Sequence, residues 1–341
     1  MKITREVFET AVEKNILSSS QAKRLVEYLQ GQPQAGPVFD LTHVLYYLGG
    51  LIAIGAMTLF MNLGWESFGG LGILLVSMIY AVFAIFLCNR FQERGYAIPA
   101  GICAAFVVAL TPLAIYGLQQ ALGMWPDQTV YQAYHRLIRW HFLYMELGTL
   151  AVGAVMAWRY KYPFLMMPLA VTGWYLSMDV AAMLSGGELT WELRELVSLY
   201  SGLLMIGMAF WVDMRSRARA DYAFWLYLFG VIAFWTGLTL QHSDSEFSRL
   251  MYCGINLVMI GVGVVLVRRV FVIFGAFGVS GYLGHLAEHV FRDSWLFPIA
   301  LTGIGFLVIF LGILWKKNEQ TLTAKVHRYL PLALREHLAR R

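Results

Sequence analysis

The stretch "GHLAEH" sets His285, Glu288 and His289 in an H-x-x-E-H spacing. On a helix the two imidazoles stand one turn apart and could both offer ring nitrogens to a divalent metal such as zinc, with Glu288 as the base that activates a bound water. A catalytic zinc needs a third protein ligand and an open position, and Glu146, Asp179, His242 or Asp293 could supply the ligand. The same residues could equally hold a proton or a noncatalytic metal, or form the polar end of a membrane helix. No P-loop, dinucleotide glycine fingerprint or nucleophile elbow accompanies them, so ATP-driven work would need another subunit and the enzymatic reading stays secondary.

The elements that must position these residues follow from composition. Hydrophobic residues make up 59% of the chain and charged ones 14%, with a mean hydropathy of +0.60, which excludes a soluble domain. A spanning helix needs about 20 mostly apolar residues. Ten such stretches are legible, at 43–63, 69–88, 98–118, 140–158, 164–184, 196–212, 224–240, 251–267, 270–289 and 295–315. The expected fold is an all-α integral membrane protein of about ten transmembrane helices.

The basic residues give the orientation. With the N-terminus inside, ten alternating spans place 21 of the 26 Lys and Arg on the inner side, so both termini are expected to be cytoplasmic. A re-entrant ninth stretch would give an odd count and put the basic C-terminus outside. Cys88, Cys103 and Cys253 lie in apolar stretches without a Cys-x-x-Cys spacing, which suits packing rather than a disulfide. No cleavable signal is expected, because the first 40 residues lack a short apolar core ahead of small residues.

Residues 1–30 read as a cytoplasmic helical hairpin. Ser18-x-x-Gln21 fits a capping box, and Ala22, Leu25, Val26 and Leu29 share one helix face. Such a hairpin buries little on its own, so it is expected to dock on the membrane domain, on a second copy or on a protein partner. Residues 31–42 are its linker, 43–315 the membrane domain and 316–341 a basic amphipathic tail. That tail suits anionic inner-leaflet lipid, so the pI near 9.0 calls for no nucleic acid.

The segment "AVEKNILSSSQAKRLVEYL" ahead of the Gly-rich "YYLGGLIAIGAM" resembles the head of a bacterial family of predicted polytopic membrane proteins, the domain-of-unknown-function 2157 type. The likeness covers about the first 65 residues. It implies a bacterial inner-membrane protein and brings no site residues with it.

Gly50-Leu51-x-x-Ile54-Gly55 recurs as Gly202-Leu203-x-x-Ile206-Gly207, which either marks two inverted halves of five spans or is shared packing chemistry. In the ninth stretch Gly275, Gly278, Gly281 and Gly284 predict close helix contact.

Ionisable groups inside spans are costly and face a bundle interior or a water-filled cavity. Glu146, Asp179, His242, His285, Glu288 and His289 all fall toward the outer side, where eleven acids meet five bases. The leading expectation is a transporter-like or ligand-binding protein with an outward vestibule for a proton, a cation or a small cationic solute. Alternatively Glu146 and Asp179 pair with Arg136, Arg139 or Arg194, and the chain is an accessory or assembly subunit. A metal-dependent enzyme built on His285 and His289 is the third reading.

Overall fold

A computed structural model of the chain describes residues 41–64, 68–125, 140–185, 190–215, 221–241 and 245–287, with positions 12, 18–21 and 24 ahead of them and 298–299, 301–303, 305–306 and 309–310 after them. Regular structure among the described residues is entirely helical. In chain order the helices are α1 (Leu41–Gly64), α2 (Gly69–Glu93), α3 (Ala97–Ala121), α4 (Trp140–Tyr160), α5 (Met166–Leu184), α6 (Trp191–Arg215), α7 (Ala223–Leu240), α8 (Glu246–Val265) and α9 (Arg269–His285), with a 3-10 turn at Pro163–Leu165 before α5.

Six of these are long and apolar enough to cross a membrane: α2, α3, the run Pro163–Leu184 that contains α5, α6, α7 and α8. The protein is a multi-pass membrane protein. Helix α1 has 24 residues, α4 has 21 and α9 has 17, so α9 at about 26 Å falls slightly short of the hydrocarbon thickness. The apolar stretches read from sequence match these helices to within a few residues. The largest single differences are of five residues, at the end of α2, the start of α8 and the start of α6, which begins at Trp191 rather than 196. Its first turns carry Glu192, Arg194 and Glu195, so the helix runs on past the apolar stretch.

Consecutive helices cross at glycines, as membrane packing without a hydrophobic drive requires. A Cβ on Gly117 would lie 2.7 Å from the Leu74 nitrogen and 2.8 Å from the Gly70 carbonyl, which locks α2 against α3. Gly202 does the same for α6 and α7, with the Phe234 nitrogen 2.3 Å from the position a Cβ would take. In α9, Gly275 and Gly278 press on Ile260 and Asn256 of α8. Gly281 and Gly284 are exposed and have nothing within 4 Å. Only the first half of that glycine series is a packing seam. The repeated motif divides likewise: Gly50 meets Ile102 and Gly202 meets α7, while Gly55 and Gly207 face open space.

Side chains tie one set of helix ends into a single face. The Tyr222 hydroxyl donates to the Lys161 carbonyl, linking the α6–α7 and α4–α5 connections. The Tyr160 hydroxyl donates to Asn89 Oδ1 at 3.1 Å, linking α4 to α2. Phe164 packs edge-on against Trp225 at 4.9 Å and beside Tyr47 of α1 at 5.5 Å.

Helices α2, α3 and α8 all end in the same six-residue cap. In α2, Gly95 N–H bonds the Gln92 carbonyl and Tyr96 N–H bonds that of Phe91, with Gly95 at φ 80°. In α8 the left-handed position is Val267, at φ 55°, where a β-branched residue is strained. The next residue is Arg268. Ahead of the membrane helices in the chain, Ser18 and Gln21 form the expected capping box: Ser18 N–H donates to Gln21 Oε1 at 3.0 Å and Gln21 N–H to Ser18 Oγ at 3.3 Å. The rest of the head, the tail and most of the tenth apolar stretch lie outside the described residues.

Candidate functional site

Helix α4 brings Glu146 into the bundle. Its buried face runs through Phe142, Met145, Glu146, Thr149, Gly153 and Met156, a helical repeat whose only charge is Glu146. Partners on α3 fix the register: Ile115 fits against Gly148, and Gln119 Nε2 donates to the His141 carbonyl at 3.2 Å. Leu169 of α5 packs against Gly153 on the other flank.

Glu146 is 5% exposed, and neither of its oxygens has a partner in hydrogen-bond geometry among the described residues. The group it faces is the Asp179 carboxyl of α5. Two carboxylates cannot face each other in a low-dielectric interior unless a proton or a cation lies between them. Thr149, one turn along, is committed to the Met145 carbonyl at 2.6 Å through its hydroxyl proton and keeps its lone pairs. Arg136 and Arg139, considered above as partners for this pair, lie outside the described residues; Arg194 lies over the Trp191 ring at 5.4 Å, and both it and Asp179 make further interactions.

His285 sits elsewhere. It lines a cleft of about 620 Å³ between the ends of α7 and α9 and the start of α8, together with Arg249, Tyr252, Thr239 and Gln241. Neither Glu146 nor Asp179 lines that cleft, so the single vestibule expected from depth alone becomes two separate places. His242, Glu288 and His289 lie outside the described residues.

Around His285, Glu246 Oε1 lies 3.3 Å from Nε2, and Arg249 Nη1, itself 2.9 Å from Glu246, also approaches Nε2. A ring nitrogen can accept from arginine only when bare and donate to glutamate only when protonated, so Nε2 serves one of them at a time. Among the described residues no group of three or more His, Cys, Asp or Glu stands close enough to hold an ion; Glu288 and His289, on which the metal reading also rests, lie outside them.

A third charged centre escaped sequence reasoning. Arg268, 6% exposed, reaches Asp213 Oδ2 at 2.9 Å from Nη2 and Asp221 from both Nη1 and Nη2, and its guanidinium lies 4.9 Å from the centre of the Tyr227 ring. Burial works against its charge, but the hydrogen bonds and charges of Asp221 and Asp213 more than offset this and raise its pKa above the ordinary arginine value. The centre joins the end of α6, the start of α7 and the α8–α9 turn. Its partners are 47 and 55 residues away in the chain, and no local signal pairs them.

Compared with known proteins, the chain matches no family model, no curated sequence and no solved structure.

Proposed function

We propose that this chain is a transporter-like bacterial inner-membrane protein, of ten spans with both termini cytoplasmic, that binds a proton or a small cation between Glu146 and Asp179. One observation carries the reading: a carboxyl that is 5% exposed faces a second carboxyl across α4 and α5. Burying such a pair is costly, and ionisable groups at membrane depth belong to ion paths and proton relays. The donor set favours a small species. A pair of carboxyls suffices for a shared proton or a small monovalent ion and falls short of the roughly six to eight oxygens that calcium takes.

The test is chemical. Dicyclohexylcarbodiimide partitions into lipid and adds to protonated carboxyls, so the protein in liposomes should carry the adduct on Glu146 or Asp179. Labelling should slow as pH rises or as a bound cation competes, and Glu146→Gln should remove the adduct on its own peptide. A protein that takes up no label at either residue, at any pH, would defeat the ion-site reading and leave an accessory or assembly role as the better account.

A further inference from the structure

The cleft between α7, α8 and α9 has a polarity that the ion-site reading does not use. Its rim is polar: Arg249 and Ser248 near the start of α8, Gln241 just after α7, and His285 at the end of α9. Deeper lie the Thr239 and Tyr252 hydroxyls, bonded to each other at 3.0 Å. Beyond them the walls are Leu238 and Ile255, with Met251 beside Tyr252. From Arg249 to Ile255 is about 9 Å along the helix axis. The polar pole therefore stands at the helix ends and the apolar pole points toward the bilayer centre, which is the polarity of a lipid molecule in one leaflet.

The cleft also opens to the side. Phe247 is 69% exposed and Met251 52%, so its flank meets the acyl chains of the bilayer. Its floor is open at Gly281, where an added Cβ would meet nothing within 4 Å.

Charge selects the headgroup. Arg249 carries five N–H donors, and its contacts with Glu246 and His285 are both made through Nη1. Its side chain is 36% exposed and that of Glu246 57%, so the carboxylate is a rim partner that an incoming phosphate can replace. A phosphate is the natural partner for the remaining guanidinium edge. His285, freed from Glu246, can donate from Nε2 to the same phosphate.

We propose that this cleft is a binding site for one anionic phospholipid of the surrounding leaflet, its phosphate on Arg249 and its glycerol and upper acyl chain along Tyr252, Met251 and Ile255. The site is separate from the Glu146–Asp179 pair, and neither proposal depends on the other.

The experiment uses the full-length protein, delipidated in a neutral detergent and titrated with phosphatidylglycerol, with bound lipid counted by native mass spectrometry. One phosphatidylglycerol should bind more tightly than phosphatidylcholine. Arg249→Gln should weaken it by roughly tenfold, the value of a charge-assisted hydrogen bond. Gly281→Leu should abolish it by filling the cleft, and because its Cβ enters open space and a helical glycine is replaced it should leave thermal stability unchanged or raised. If Arg249→Gln fails to fold, Gly281→Leu decides the matter alone. Equal affinity for phosphatidylcholine would overturn the headgroup assignment. Competition by glycerol 3-phosphate as strong as that by the lipid would show a soluble phosphate ligand instead. Undiminished lipid binding by Gly281→Leu would place the lipid elsewhere and reject the site.

Discussion

Arg268 offers the sharpest test of what holds the helix ends together. Its side chain is 6% exposed and those of Asp213 and Asp221 are 11% and 24%, so three charges sit largely out of water. Arg268→Met keeps an unbranched apolar stem in place but takes from two carboxylates the guanidinium they share. Removing one side of a buried ion pair costs roughly 3–5 kcal/mol, because the surviving charge stays buried. Losing the contact with the Tyr227 ring adds about 1 kcal/mol. Total stabilities of folded domains run to roughly 5–15 kcal/mol, so the variant should unfold far earlier in an SDS or heat titration followed by far-UV circular dichroism. Adding Asp213→Asn and Asp221→Asn should restore more than half of the loss, since the penalty comes from stranded charge. A single variant that loses less than about 1 kcal/mol, the value of an exposed pair, would refute the reasoning. So would a triple variant less stable than the single one.

The glycine motif that appears twice in the chain should split in its sensitivity. Gly202→Ala pushes a methyl onto backbone that cannot yield and should cost roughly 3 kcal/mol in the same titration, whereas Gly207→Ala should be near neutral. Val267→Gly should stabilise by about 1 kcal/mol, because it relieves a left-handed β-branched residue whose side chain is 67% exposed and packs little. Threading can be read by labelling single cysteines from either side of sealed vesicles: positions 95 and 215 should react from one side and 185 and 241 from the other. Reaction of 95 and 215 from opposite sides would remove the alternating arrangement.

Much of the fold could be read from sequence because bilayer thickness imposes a length on apolar stretches. Helix ends failed where the chain is helical but no longer apolar, as at Trp191 to Glu195 of α6. The individual site residues were legible too, since a charge inside an apolar stretch stands out. Glu146 and Asp179 were both picked and grouped in one site by their depth, while their direct approach depends on how α4 and α5 cross, where Leu169 packs on Gly153. Depth along the membrane grouped His285 with them, while lateral position, which sequence does not encode locally, sets it against α7 and α8. The Arg268 centre was invisible because its acids looked like ordinary loop charges until three chain segments met.

The tight glycine crossings join neighbours in the chain: α2 with α3, α6 with α7, α8 with α9. A pair of this kind can dock as soon as its second member leaves the translocon, without waiting for distant sequence, and such local assembly is fast. Helix α1 is the exception, since it rests on α3 rather than on α2. During synthesis it must remain in lipid, unaccompanied, until the third helix has been made.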